Sequence, residues 1–346
     1  MSDSLPLRNP AWNNSQLPIE AEFGCAVQES TLEWISTCLA PIFFEYDIKI
    51  LGGLRAGEPQ NHLGHFLVDS DAGKFVLHIK PVPAGDDAEE AAQLSDHLFH
   101  SGLDISRFRR ALDGRAEVVF DGWAVTATSY AEARHWKGGI SDAKALGIAL
   151  GNIHRCLADY PPTEALLERN RGIRKRLAQT AKNIQEGEPL DICEEFIEPL
   201  KISAMKLDPE FTFASVSQRV HGDISIGNVL FKPNGMCWIC DFENSGFAWW
   251  PREFDVGSAI LRFCYDNVGR ERPEGHVAEE WSRELAKSYE AARGQSLDWG
   301  AVISSIKNLT YYNLVGRYQN EKSGVPKSLG EWEKFHRLFI LAESIQ

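Results

Sequence analysis

Two patterns of apolar and polar residues divide this chain, and the change from one to the other falls near residue 130. Before it, short apolar runs are separated by turn residues, which predicts β-strands at 44–51, 61–69 and 74–81. After it, apolar residues recur every three or four positions over long segments, which predicts helices. The chain therefore predicts a small β-rich part followed by a larger, mostly helical part.

The β-rich part also contains one helix and one hairpin. Leu94 and Leu98 are four residues apart, and they predict a helix over 86–102. The next apolar segment alternates around Asp121 and Gly122, a dipeptide typical of two-residue hairpin turns. A small sheet with one crossing helix follows from these elements.

An earlier helix is expected at 30–40, where Ser30 and Glu33 have the spacing of a capping box and Pro41 is expected to end the helix. The polar segment before it has no apolar stretch of the kind that signal peptides contain. We therefore divide the chain into a polar lead-in, an N-lobe and a C-lobe, at 1–25, 26–130 and 131–346.

Composition narrows the class of protein. A chain of 346 residues, 43% of them hydrophobic, exceeds one ordinary core and favours two lobes. We expect a cytoplasmic protein, because seven scattered cysteines indicate no disulfide framework. The net charge of −13 argues against a nucleic-acid partner and an anionic membrane surface, and it permits a cationic ligand.

The strongest chemical pattern is HGDISIGNVLF, which begins at His221, followed by CDFE, which begins at Cys240. Kinases need one aspartate to orient and deprotonate the attacking hydroxyl, and an Asn and an Asp to hold Mg²⁺ against the phosphates of ATP. The protein-kinase motifs for these roles are H-R-D-x-x-x-x-N and D-F-G. Here Asp223, Asn228 and Asp241 have that order and spacing.

These motifs resemble those of the aminoglycoside phosphotransferase and choline kinase family, the small-molecule branch of the protein-kinase-like fold. The resemblance implies an α+β fold with a β-rich N-lobe that binds nucleotide and a helical C-lobe that carries the catalytic hairpin and the acceptor site. It implies that Asp223 accepts the proton of the substrate hydroxyl and that Asn228 and Asp241 bind Mg²⁺. It also implies that His221 and Asp255 organise the catalytic loop.

The resemblance further implies a lysine that binds the ATP phosphates and a carboxylate that pairs with it. Lys80 ends the third strand-like run, in LHIK, which is similar to the V-A-I-K motif; Lys74 and Lys49 are weaker candidates. Glu89 and Glu90 are both candidates for the carboxylate. We favour Glu90, because Leu94 and Leu98 continue its helical face.

Nucleotide contacts are expected at two further places. Gly52 and Gly53, between the first two predicted strands, would let the backbone approach phosphate. Adenine is expected to pair with the backbone near Ser129 and Tyr130, where the N-lobe ends.

Two departures from protein kinases favour a small acceptor. Gly222 replaces the arginine of H-R-D, and only 242–254 separates Asp241 from Asp255, which leaves little room for an activation segment. We therefore expect Mg-ATP-dependent phosphorylation of a hydroxyl on a small, amine-bearing molecule, which is an aminoglycoside, an amino sugar, or a choline-like or homoserine-like compound. The acidic run at 194–198 favours a cationic acceptor. A silent nucleotide-binding pseudokinase and, less favoured, a protein kinase are the alternatives.

Overall fold

The computed structural model describes residues 33–45, 48–56, 64–82, 88–214, 216–242, 248–267, 271–325 and 327–345. Its contacts divide the chain into two compact units. Unit 1 contains the described residues up to Lys137 together with 226–242. Unit 2 contains the described parts of 138–225, 248–267 and 271–345.

Unit 1 is built on a six-stranded antiparallel sheet with the order β1-β2-β3-β6-β4, in which β5 also pairs with β6. The strands are β1 Lys49–Ala56, β2 Gly64–Ser70, β3 Gly73–Pro81, β4 Phe108–Arg109, β5 Glu117–Phe120 and β6 Trp123–Ser129. Asp121 and Gly122 connect β5 to β6 with φ of 49° and 80°. These angles suit a two-residue hairpin turn and confirm the predicted hairpin.

Strand β1 is longer than the sequence predicted. Gly52 and Gly53 were expected between the first two strands, but they pair with Leu67 and Phe66 inside the sheet. The register shifts on both sides of them, between Ile50 and Gly52 and after Gly53. Glycine tolerates such bulges, so the two glycines bend the strand instead of ending it.

The described part of unit 1 includes the helical segments α1, a π-helical turn at Ile35–Leu39, α2 at Ala40–Phe43 and α3 at Ala88–His100. The prediction that Pro41 ends the first helix is wrong, because Pro41 lies in the first turn of α2. Proline is tolerated there, where a backbone N–H would have no partner within the helix. Buried residues of α1 and α2 pack with β2, β3 and β6 in one core.

The hairpin of β8 (Val229–Phe231) and β9 (Cys237–Ile239) also lies in unit 1. The sequence analysis placed it in the C-lobe. Arg134 and Phe231 exchange two backbone hydrogen bonds of 2.9 and 2.7 Å, and the amide of Ser106 donates to Ile239 over 3.0 Å. These long-range hydrogen bonds hold the hairpin in unit 1, although it lies far from the rest of that unit in the sequence.

Unit 2 is mostly helical, as predicted. Its helices are α4 Ile140–Leu157, α5 Glu164–Gln185, α6 Glu194–Lys206, α7 Glu253–Ala259, α8 Gly275–Arg293, α9 Trp299–Lys322 and α10 Leu329–Ser344. A π-helical turn at Ile260–Tyr265 continues α7. The short strands β7 (Ser217–Arg219) and β10 (Trp249–Pro251) pair antiparallel. Sequence periodicity missed α6, which contains Pro199.

Helices α4 and α8 approach each other closely because α4 carries two glycines on the shared face. A Cβ added at Gly147 would lie 2.2 Å from the carbonyl oxygen of Leu285, and one added at Gly151 would lie 2.6 Å from that of Tyr289.

Within the described residues, no helix is long and apolar enough to cross a membrane.

Candidate active site

The loop His221–Asp223 follows β7 in unit 2 and is held by one buried carboxylate. Oδ2 of Asp255 accepts a hydrogen bond from the amide of His221 over 2.7 Å, and Oδ1 accepts one from the amide of Gly222 over 3.0 Å. The amide of Asp223 donates to Nδ1 of His221 over 3.2 Å. Asp255 and His221 are fully buried. These hydrogen bonds therefore fix the conformation of the backbone that carries Asp223.

Gly222 adopts φ of +84°. In this left-handed region a residue with a Cβ is strained, whereas glycine is not. Glycine therefore suits this position better than the arginine of H-R-D, because its conformation lets the amides of His221 and Gly222 both donate to Asp255.

His154 and Tyr289 complete this arrangement, and the sequence analysis missed both. Nε2 of His154 lies 3.1 Å from Oδ2 of Asp255, and Nδ1 lies 2.9 Å from the hydroxyl of Tyr289. Burial acts to raise the pKa of Asp255, but the hydrogen bond and electrostatic attraction of His154, the attraction of His221 and the hydrogen bond from Gly222 together hold that pKa below its ordinary value. The sequence feature that could have identified His154 is its position on the apolar face of α4.

Asn228 and Asp241 lie at the open end of the β8–β9 hairpin in unit 1. Val229 pairs with Ile239, and the amide of Cys240 donates to the carbonyl of Asn228 over 3.0 Å, so Asp241 follows that last pair directly. Asp241 has φ of +64°, a conformation uncommon outside glycine that recurs at functional sites. The two side chains offer hard oxygen donors, which suits Mg²⁺. Glu243 lies outside the described residues.

Lys80 and Glu90 are both buried in unit 1, at the end of β3 and in the first turn of α3. The rival residues have other partners at the surface. Glu89 accepts two hydrogen bonds of 2.9 Å from Arg110, and Lys74 forms an ion pair of 2.7 Å with Glu132. The burial of Lys80 and Glu90 supports the choice made from the sequence, and their role in binding phosphate stays a prediction.

The backbone amides of Ser129 and Tyr130, near the predicted adenine contact, already have hydrogen-bond partners. The amide of Ser129 donates to Arg107 over 2.7 Å, and the amide of Tyr130 donates to Lys74 over 3.0 Å. An adenine contact in this segment would therefore use carbonyl groups or residues after Tyr130. Gly52 and Gly53 lie in β1, and their predicted approach to phosphate is untested.

Two groups of side chains that could attract a cation, an aromatic one around Trp250 and the acidic run at 194–198, have structural roles. Trp250 is buried, and its ring lies 4.3 Å from that of Phe254 between centroids, within an aromatic core. The acidic run begins α6, where Glu194 and Glu195 occupy the first turn. Acidic side chains stabilise a helix N-terminus, which explains their position without a ligand.

A β-rich unit with a buried lysine and glutamate, and a helical unit in which a buried aspartate fixes an H-G-D loop, together define a small-molecule kinase with the protein-kinase-like fold. Comparison with known families agrees. The chain belongs to the phosphotransferase enzyme family APH, whose model matches residues 62–294. No curated protein matches the chain significantly.

Solved structures share the fold at low sequence identity. An amicoumacin kinase, hAmiN, solved with AMP-PNP and Ca²⁺, has a TM-score of 0.59 at 13% identity and covers 91% of this chain and 96% of its own. Spectinomycin phosphotransferase APH(9)-Ia, with ADP and spectinomycin, has 0.57 at 13% and covers 92% and 98%. Choline kinase LicA from Streptococcus pneumoniae has 0.54 at 14% and covers 91% and 98%. The predicted family and fold class are thus confirmed.

Proposed function

We propose that this protein transfers the γ-phosphoryl group of ATP to a hydroxyl of a small molecule that also bears an amine, with Mg²⁺ as cofactor. The observation that carries the proposal is the H-G-D loop, which the two oxygens of buried Asp255 hold by its backbone. The family assignment and the nucleotides in similar structures support ATP as donor. Choline and spectinomycin, named for two of those structures, support a small acceptor.

In the proposed reaction Asp223 orients the acceptor hydroxyl and accepts its proton. The hydroxyl oxygen forms a bond to the γ-phosphorus as the bond from that phosphorus to the bridging oxygen of ADP breaks. A positioned base contributes about 10²- to 10⁴-fold to the rate. His221 and Asp255 position Asp223 through the backbone and do not touch the substrate.

The nucleotide is assigned to residues of unit 1. Lys80, braced by Glu90, would bind the phosphates, while Asn228 and Asp241 would hold Mg²⁺ through oxygen. Their donor set fits the ion, because Mg²⁺ keeps several waters and takes few protein ligands. When bound, the ion neutralises charge on the phosphates.

The experiment is ATP turnover across a panel of amino alcohols, amino sugars, aminoglycosides and peptides, with and without Mg²⁺. We expect Mg²⁺-dependent ADP release with at least one small hydroxyl compound and none with peptides. Nucleotide binding without turnover on any compound would instead support a pseudokinase. Asp241→Ala should abolish metal-dependent nucleotide binding, whereas Asp113→Ala, at the surface of the same unit, should not.

A further inference from the structure

The helix that fixes the catalytic loop continues past it with an arginine on the same side. Asp255 bonds to the amides of His221 and Gly222, and Oγ of Ser258 donates to the carbonyl of Ile224 over 3.0 Å. Arg262 follows Ser258 by four residues, about one helical turn, so it lies on the side of the helix that carries Ser258.

Arg262 lies in the π-helical turn Ile260–Tyr265 and is partly buried. Its Nε is buried and has no hydrogen-bond partner among the residues that the structure describes. Leaving a buried donor of a charged group without a partner is unfavourable. Single π-turns are also frequent at functional sites. The two features together make Arg262 a candidate ligand-binding residue.

A second cation lies on α10, which an ion pair joins to the same π-helical turn. Arg337 on α10 donates to both oxygens of Asp266, over 2.9 and 3.1 Å, at the end of the π-helical turn. Lys334 precedes Arg337 by about one turn, and Arg262 precedes Asp266 by about one turn. The ion pair thus joins the two segments that carry Lys334 and Arg262.

The electrostatic environment of Lys334 agrees with this placement. Burial lowers the pKa of Lys334, Arg262 lowers it further, and Glu331 and Asp223 raise it. Lys334 is therefore within electrostatic range of both Arg262 and the proposed catalytic Asp223. Lys334 is 37% exposed, so a ligand can reach it, and its contacts with Glu331 are 3.3 Å, long for a charged hydrogen bond.

We propose that Arg262 and Lys334 bind a carboxylate of the acceptor and so hold its hydroxyl near Asp223. A carboxylate fits better than a doubly charged phosphate, because Glu331 already offsets Lys334 and leaves Arg262 as the unpaired charge. The inference rests on the proposed function and deepens it: the acceptor class becomes a hydroxy acid that bears an amine. It replaces the purely cationic acceptor that the net charge had suggested.

The test uses matched triples of acceptors: a hydroxy amino acid, its amide and the amino alcohol that lacks the carboxyl group. Homoserine, homoserinamide and aminopropanol form one such triple. Both kcat/KM and equilibrium binding are measured for wild type, Arg262→Gln, Lys334→Gln and Arg262→Lys. Arg283→Gln, an exposed arginine on α8, is the control.

We expect wild type to prefer the carboxylate over the amide by about 10-fold or more, since a hydrogen bond to a charged group contributes roughly 1.5–3 kcal/mol. Arg262→Gln should remove the preference through KM and leave the KM for ATP unchanged, and Arg262→Lys should restore part of it. The control should keep it.

Three results would overturn the inference. These are no preference for the carboxylate in wild type by either measurement, a preference that survives Arg262→Gln, and an equal loss for all three members of a triple. A carboxylate preference in binding without any turnover would retain the site and defeat the proposed kinase activity instead.

Discussion

At the scale of single residues, the buried carboxylate of Asp255 holds the catalytic loop in place. It is fully buried, and it accepts hydrogen bonds from two amides of the catalytic loop while facing His154. Removing one partner of such a buried arrangement leaves the others uncompensated, which typically destabilises a protein by about 3–5 kcal/mol. Asp255→Asn should therefore lower the free energy of unfolding by roughly 3 kcal/mol at neutral pH.

The sign of the pH dependence follows from the lowered pKa of Asp255. A carboxyl group whose pKa is lower in the folded state stabilises the fold above the pKa of the unfolded chain, about 3.9. That stabilisation is lost as pH falls through the folded value. Urea unfolding from neutral pH to pH about 3 should show the difference between wild type and Asp255→Asn shrinking below pH about 4. Asp191→Asn, at an exposed aspartate, should show no such difference, and a gap that stays constant would contradict this role of Asp255.

Lys80 and Lys74 provide a matched pair on one strand. Lys80 is buried, whereas Lys74 pairs with Glu132 at the surface. If Lys80 binds the phosphates, Lys80→Ala should raise the KM for ATP by about 10- to 100-fold, the equivalent of a charged hydrogen bond. Lys74→Ala should leave KM near wild type, because exposed pairs contribute little. Steady-state rates measured over a range of ATP concentrations give the KM of each variant. A larger increase in KM for Lys74→Ala than for Lys80→Ala would assign phosphate binding to Lys74.

How far the sequence predicts these residues depends on the origin of the signal. Asp223, Asn228 and Asp241 were found because phosphoryl transfer demands those residue types at fixed spacing. His154 and Tyr289 were missed, because their role arises only when α4 and α8 fold against α7. The role proposed for Arg262 is of the same kind, since no sequence motif marks it.

At the scale of elements, the approach of α4 to α8 positions the residues beneath the loop. Gly151 is three residues before His154 and packs against the carbonyl of Tyr289. Gly151→Ala should push the helices apart and lower the free energy of unfolding by about 1–3 kcal/mol, the usual effect of overpacking. Thermal or urea unfolding measures the change.

Gly316→Ala is the control for this substitution. Gly316 also lies within a helix, α9, but an added Cβ would find only Leu177, at an ordinary 3.7 Å. It should be neutral or stabilise by up to about 1 kcal/mol, because alanine favours helix more than glycine does. Equal destabilisation by both substitutions would contradict the close-packing account.

Helices and strands were predictable wherever burial imposes a regular period. The errors fall where another constraint decides. Gly52 and Gly53 look like a loop but bend a strand through bulges, Pro41 fits a first helical turn, and Pro199 obscures α6. The β8–β9 hairpin joins unit 1 through hydrogen bonds to residues about a hundred positions earlier, which local patterns cannot contain.

At the scale of the whole molecule, net charge does not by itself define the acceptor. The chain carries −13 in total, whereas the acceptor site proposed in unit 2 is built from two cations, Arg262 and Lys334. Exposed carboxylates such as Glu194 and Glu195 account for part of the total and stabilise a helix end. A total charge averages over surfaces that serve solubility, whereas recognition depends on the few charges that reach the ligand.

The central claim is that Asp223 serves as the base in phosphoryl transfer to a small hydroxyl compound. Single-turnover transfer from γ-labelled ATP to the best acceptor of the panel tests it most directly, with wild type, Asp223→Asn and the exposed control Asp191→Asn. We predict that Asp223→Asn slows transfer by about 10²-fold or more while ATP binds as in wild type, and that the control transfers normally. Transfer by Asp223→Asn at a rate near that of wild type would contradict the account.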